Sequence, residues 1–159
     1  MDISNSIADF QFLGSKIVRI NMDNSYLFFD YENDTRKSVN VTYNILQIET
    51  EAGEGKDGIP EMTGIVRLNS DIKVKDDINH IFINILLEGG FCLSNSTDEE
   101  HFRDMLSING CAMLYSITRS IVMSITSQTF SGGSIVLPMI NVFKLSDELK
   151  QEDKLDEDK

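Results

Sequence analysis

Between Lys16 and Leu87 the chain alternates apolar and polar residues in four blocks. In Ser38–Ile45, Val39, Val41, Tyr43 and Ile45 fall on one face and Ser38, Asn40, Thr42 and Asn44 on the other, the pattern of a half-buried antiparallel strand. The phase then slips at Leu46 and Ile48, which predicts a bulge. Lys16–Met22 alternates with Val18, Ile20 and Met22 on one face. Met62, Gly64, Val66 and Leu68 alternate with Thr63, Arg67 and Asn69, and Ile65 breaks the rule. In His80–Leu87, Ile81, Ile83, Ile85 and Leu87 share a face while Phe82 and Leu86 occupy the other, so this strand calls for cover on both sides. The glycines and proline of Glu51–Pro60 predict a long flexible loop, and Asp76-Asp77-Ile78-Asn79 a tight connection. Gly89-Gly90 marks the end of the fourth strand, at a kink or a close approach.

After the fourth strand the period lengthens. Ser96 with Glu99 and Thr97 with Glu100 form two overlapping capping boxes, and a helix is predicted from there to about Gln128. Phe102, Met105 and Leu106 begin an apolar stripe that Met113, Ile117, Ile121 and Ile125 continue at four-residue spacing. Leu114, Tyr115, Val122 and Met123 widen it. At ~1.5 Å per residue such a helix is roughly 45 Å long. It is too apolar for one small sheet to cover, and Met113, Leu114, Ile117, Ile121 and Ile125 are therefore candidates for a helix–helix subunit interface. Gly110 is the expected kink. Ser131-Gly132-Gly133-Ser134 ends the helix, Ile135–Pro138 reads as an extended apolar loop, and a short second helix is expected from about Asn141 to Lys150.

Composition narrows the partners. The 159 residues carry 26 acids against 14 Lys and Arg, a formal charge of -12, which disfavours nucleic acids and anionic membranes. The partner should be neutral, basic or apolar. Length fits one domain, residues 1–150, followed by a disordered acidic tail, residues 151–159. Cys92 and Cys111 are too few for a disulfide framework. The N-terminus lacks the pattern of a signal peptide, and no run of ~18 apolar residues could span a bilayer. The predicted location is the cytoplasm.

Catalytic constellations are thin. His80 and His101 are the only histidines, and the spacing of Cys92, His101 and Cys111 matches no zinc pattern. No phosphate-binding glycine loop, nucleophile elbow or H-E-x-x-H occurs. No catalytic residue, metal or cofactor is therefore assigned. A denser signal is aromatic: Tyr26, Phe28, Phe29 and Tyr31 lie between the first two strands and, with Val142 and Phe143, could line a groove.

The order of four strands, Gly-Gly step, long helix, loop, short helix and acidic tail resembles the SecB family of protein-export chaperones. Gly89-Gly90-Phe91 is similar to the step after that family's fourth strand. Leu114–Arg119 falls where the family has Leu-Phe-Pro-Tyr-Ala-Arg, and Thr129-Phe130 with Leu137–Asn141 resembles its Thr-Phe-Pro and Ala-Pro-Val-Asn stretches. Cys111 and Ser116 stand roughly where the family's helix has prolines, so a straighter helix is expected. The resemblance implies an α+β fold, a four-stranded antiparallel sheet with one long and one short C-terminal helix packed on one face. It implies a homotetramer, a dimer of dimers, in which long helices lie between two sheets. It implies an ATP-independent holdase that binds unfolded polypeptide or preprotein clients, with no enzymatic activity. The client groove would comprise Tyr26, Phe28, Phe29, Tyr31, Tyr43, Val142, Phe143, Leu145 and Leu149. The family docks the motor SecA on acids of its exposed sheet face. The corresponding positions here hold Ile17, Asn21 and Ile85, so SecA coupling is not expected. Two other readings remain: a dedicated chaperone of a toxin–antitoxin pair, and a small-ligand-binding protein or enzyme on a similar scaffold.

Overall fold

In a computed structural model the structure describes residues 9–28, 32 and 39–141. Four long strands, β1 (Phe10–Asn24), β2 (Asn40–Glu54), β3 (Pro60–Lys75) and β4 (His80–Ser94), form one sheet in the order β1-β4-β3-β2, with every neighbour antiparallel. Helices α1 (Glu99–Met105) and α2 (Cys111–Thr129) follow, and the helical layer covers one face of this sheet. The architecture is the α+β arrangement expected. The predicted second helix, from Asn141 to Lys150, and the acidic tail lie outside the described residues but for Asn141, which is in no regular element.

Alternation decides which face is buried. Met62, Val66, Leu68, Ile72 and Val74 of β3 and Ile81, Ile83, Ile85 and Leu87 of β4 are all buried, and they form one core with Phe102, Leu106, Leu114 and Val122. Each fully buried aliphatic contributes about 1.5–3 kcal/mol. Three departures from simple alternation are visible. The predicted slip in β2 is a register break at Leu46, between Ile45 and Gln47. In β1, Leu13 and Val18 are extra residues opposite β4. Ile17, Ile20 and Met22 therefore share the helix-facing side, opposite Leu87, Ile85 and Ile83, while Val18 is an exposed bulge residue and not their neighbour on that face. Ile17 and Ile85 accordingly point toward the helices, and of the three positions compared with SecA-docking acids only Asn21 is on the outer face.

One connection is tighter than the sequence suggested. β2 and β3 pair out to Glu54–Pro60, so the glycine-rich stretch is a hairpin closed by a single turn at Lys56–Gly58. Asp57 and Gly58 have left-handed backbone there, with φ of 63° and 72°. Gly89-Gly90 lies inside β4, which continues to Ser94. Between β3 and β4, Asp76 Oδ1 accepts from the backbone N–H groups of Ile78 and Asn79 at 2.7 and 2.6 Å, as a four-residue turn requires. Those bonds hold the Asp76 carboxyl below its usual range.

The helix starts at Glu99, not at the predicted boxes, because Asp98 is the cap: its Oδ1 accepts from the His101 N–H at 3.0 Å. Nor is it interrupted by a simple kink at Gly110. Residues Leu106–Gly110 form a wide π-type turn between α1 and α2. Around it, Leu106, Gly110, Leu114, Thr118, Val122 and Thr126 recur every fourth residue as a buried seam. The Thr118 and Thr126 hydroxyls donate to the carbonyls of Leu114 and Val122 at 3.1 and 2.7 Å, so neither is left unsatisfied in the core.

Glycines let this seam reach the sheet. A Cβ on Gly64 would lie 2.6 Å from Leu106 Cδ1, 2.9 Å from Phe102 Cε1 and 3.0 Å from the Glu49 carbonyl oxygen. A Cβ on Gly89 would meet Leu114 at 2.7 Å. Gly90, on the opposite face, has only Leu13 at 3.9 Å.

The outer face is bound by polar ladders. Glu88 accepts from Lys16 Nζ at 2.7 Å and from Arg67 Nε at 2.6 Å, and Arg67 Nη1 donates to Gln47 at 2.8 Å. One chain of contacts thus crosses all four strands. Phe82 and Leu86, which seemed to need a second covering layer, are half-buried, with Lys73 Nζ 5.6 Å from the Phe82 ring centre.

Two outcomes are expected in urea unfolding. Gly64→Ala should cost about 1–3 kcal/mol through overpacking, whereas Gly90→Ala should change stability far less. Equal losses would remove the close-approach explanation. Lys16 and Arg67 hold the Glu88 carboxyl below its usual range. Its contribution is therefore complete above the unfolded value of about 4.3 and is lost as pH falls through the lower folded value. Glu88→Gln should be destabilising at pH 7, and the difference from wild type should shrink steadily below pH 4.

Candidate functional site

The helical layer leaves apolar surface open on both of its flanks. On the β2 flank, the segment after α2 turns at Ser131–Gly133 and runs back beside the helix. It is fastened by Ile135 N–H to Thr126 Oγ1 at 2.8 Å, Arg119 Nε to the Leu137 carbonyl at 3.0 Å, and Tyr115 Oη to the Pro138 carbonyl at 2.9 Å. Ile135 and Leu137 are buried by this, as an extended apolar segment would be, while Val136 and Met139 point outward, Met139 at 83% exposure. The Tyr115 ring lies 5.8 Å from that of Tyr43 on β2. Val41, Tyr43, Ile45 and Ile48 are only partly covered. Tyr43 thus borders an apolar trough between β2 and the returning segment.

The other residues proposed for a groove separate. Tyr26 is buried, with its ring edge-on to Phe130 at 5.3 Å, and closes the end of the core. Phe28, two residues on, is 81% exposed. Phe29, Tyr31, Val142, Phe143, Leu145 and Leu149 lie outside the described residues.

On the β1 flank, Phe12, Ile17 and Ile20 face the helical side yet remain 38%, 50% and 37% exposed. At ~100° per residue Ile117 and Ile121 project from the side of α2 opposite Tyr115 and Arg119, toward this flank. Both, with Ile125, are half-buried, and Met113 is 43% exposed. Leu114, grouped with them by sequence, is buried beneath the helix against Gly89. The outer face of the sheet holds a further feature that the sequence did not indicate. An open depression of about 500 Å³ lies over Gly90, bordered by Leu13, Ile65, Glu49 and Glu51.

Catalytic groupings are sparse. Cys92 and Cys111 are both buried and unpaired. Burial pushes the Cys111 thiol up to about 12, and burial, with the Glu61 charge, pushes Cys92 up as well. Neither is a thiolate near neutrality. Among the described residues no group of three or more His, Cys, Asp or Glu side chains is placed to hold a metal. Asp23, Ser25 and His80 do come together, with His80 Nε2 2.9 Å from Asp23 Oδ2 and Nδ1 3.4 Å from Ser25 Oγ. All three are exposed, and Ser25 Oγ accepts from the His80 backbone N–H at 2.8 Å. The arrangement fastens the end of β1 to β4. No helix among the described residues is long and apolar enough to cross a membrane.

The chain is similar in structure to a SecB-like chaperone of Mycobacterium tuberculosis, solved in complex with a peptide from an antitoxin. The match covers 82% of this chain and 90% of that one, with a TM-score of 0.52 and 13% identity. A protein of unknown function from Streptococcus agalactiae matches over 81% of this chain and 96% of its own, with a TM-score of 0.49 and 10% identity. No family model and no curated protein matches the sequence. The fold is thus SecB-like, and the likeness at these identities is one of fold.

The raised thiols give a direct check on the absence of a reactive nucleophile. In the native protein at pH 8 neither Cys92 nor Cys111 should react with iodoacetamide within minutes, and both should react once the protein is unfolded. Rapid native alkylation of Cys111, read by mass spectrometry, would contradict its burial.

Proposed function

We propose that this protein is a cytoplasmic chaperone of the holdase type, binding non-native polypeptides without ATP and without chemical turnover. The observation that carries the reading is the apolar surface left open on both flanks of α2, in a fold that resembles a peptide-binding SecB-like chaperone. The β2 flank, around Tyr43 with the exposed Val136 and Met139, serves as client surface, and the exposed Phe28 is proposed to add to it; aromatics and methionine offer large contact area tolerant of sequence. Phe29, Tyr31, Val142, Phe143, Leu145 and Leu149 are proposed to extend it. The β1 flank serves assembly. Covering Met113, Ile117, Ile121 and Ile125 with a second copy, and pairing dimers, would yield a homotetramer. The surrounding negative charge favours clients with basic segments and keeps loaded complexes apart.

A ligand-binding protein or enzyme would need an enclosed site with converging polar groups. The depression over Gly90 is open and bordered largely by apolar and backbone atoms, which favours the chaperone reading. Within that reading, a dedicated antitoxin chaperone is favoured over general export on two counts. The similar structure holds an antitoxin peptide, and Asn21, the one of the three compared positions on the outer face, is not acidic.

The test is suppression of aggregation. A chemically unfolded, slow-folding polypeptide diluted into a several-fold molar excess of this protein should scatter far less light than without it. No suppression across several clients, antitoxins among them, would end the holdase reading; suppression for one antitoxin alone would support the dedicated form. Phe28→Ser should weaken suppression several-fold. Because Phe28 is so exposed, its replacement should change stability by no more than about 0.5 kcal/mol and leave the oligomer intact. Loss of the oligomer would instead make Phe28 structural.

A further inference from the structure

Nothing among the described residues calls for glycine at position 90. Gly14, its partner across the β1–β4 ladder, has a φ of 148° beside a break in register, where a side chain would be strained. Gly90 has ordinary extended backbone, and a Cβ there would touch only Leu13, at 3.9 Å. Glycine inside a strand weakens it, and without an internal cause it marks a place where something else approaches the backbone. On the outer face the two glycines leave a bare floor between Leu13 on β1 and Ile65 on β3, which are 61% and 37% exposed. Two strand spacings, roughly 10 Å, separate those strands. The hollow of about 500 Å³ over this floor adjoins a second of about 390 Å³ that reaches Lys16 and Glu88. Lys16 and Glu88 balance one another at 2.7 Å. At the β2 end Glu49, opposite Ile65, and Glu51, opposite Thr63, line the larger hollow, and no lysine or arginine lines it with them. Glu49 also accepts from Gln47 Nε2.

We propose that this hollow is a second binding site, for a small molecule that joins one flat apolar ring to one cationic nitrogen. A ring laid on the glycine backbone is held between Leu13 and Ile65 and covers apolar surface that the polar ladders of this face leave open. Glu49 stands one strand spacing beyond Ile65, so a tether of two carbons carries the nitrogen from the ring toward the carboxylates. A neutral ligand gains nothing at that end, and an anion is repelled there. Exposed ion pairs are weak and the hollow is open on one side, so the dissociation constant is in the millimolar range. Carboxylates alone, with no converging nucleophile or acid, make this a binding site and not a catalytic one. It lies on the face of the sheet away from both flanks of α2, so it goes beyond the chaperone reading and is tested without it.

The probe is phenethylamine, titrated into the full-length protein and followed by NMR. The amide resonances of Gly14, Ile65 and Gly90 should shift saturably. Phenethyl alcohol should bind several-fold more weakly at the same residues, and hydrocinnamate more weakly still. Glu49→Gln combined with Glu51→Gln should bring the amine down to the alcohol's affinity and leave the alcohol where it was. Gly90→Val should fill the hollow and abolish binding of both. Circular dichroism shows whether that variant is folded; if it is not, the glutamine variant alone decides. Equal affinity for the three probes, an amine affinity unchanged by the glutamine substitutions, binding that persists in folded Gly90→Val, or shifts centred on Tyr43 and Met139 overturns the proposal. So does a shift of the Gly14 and Gly90 resonances that grows with protein concentration in the absence of any probe, since a second copy is then the occupant.

Discussion

A single helical layer has to cover a four-stranded sheet, and it is too narrow to do so. Strands spaced about 4.8 Å apart put the outer two some 14 Å from one another, whereas an α-helix with its side chains is about 10–12 Å across. The helix therefore settles over β3 and β4, whose inner residues are almost completely buried. The inner faces of β1 and β2 are left short of cover. Glycine at 64 and 89 deepens the central contact at the expense of width, because it lets Leu106, Phe102 and Leu114 sit down against the strands. The open apolar flanks on which function and assembly are proposed to rest are a consequence of that mismatch.

The two flanks are finished differently, and polar contacts decide how. On the β2 side three hydrogen bonds, two donated by Arg119 and Tyr115 and one accepted by Thr126, hold the returning segment in place, so part of the exposed strip is covered by the chain itself. Thr126 Oγ1 serves twice, donating to the Val122 carbonyl within the helix and accepting from the Ile135 N–H. On the β1 side the edge strand's own inward residues, Phe12, Ile17 and Ile20, remain open beside Ile117 and Ile121. The outer face needs no such cover, since the ladder through Lys16, Glu88, Arg67 and Gln47 makes it a stable surface in water.

Much of the fold was legible in the sequence because period-two alternation and four-residue spacing are direct records of which face is buried. The strands, their order in the chain, the slip at Leu46 and the apolar loop at Ile135–Pro138 follow from that pattern alone. What the pattern concealed were single inserted residues. Val18 is apolar and in phase with Ile20 by counting, yet it is the bulge that puts Ile17 on the inner face, whereas Ile85 is on that face by the plain alternation of β4. The wide turn at Leu106–Gly110 likewise moved Leu114 from the proposed interface into the core, because one extra residue in a turn rotates every later position. Tyr26 was grouped with its aromatic neighbours by sequence, but partnership with Phe130 lies more than a hundred residues away and leaves no local signal.

The site is correspondingly harder to read than the fold. A catalytic centre would have announced itself by a few residue types at constrained spacing; a surface for unfolded chains has no such signature. What it requires is apolar area without an enclosing shape, adaptable side chains, and enough like charge to keep loaded complexes from associating. Here the first requirement follows from the width of one helix against four strands, and the second from residues such as Met139 and Phe28 that the core does not take up. The third is the acidic composition, with Glu49 and Glu51 standing at the end of the uncharged stretch of β2 rather than within it. That division, an uncharged stretch bounded by carboxylates, is what the proposed holdase would need in order to hold hydrophobic segments without aggregating alongside them.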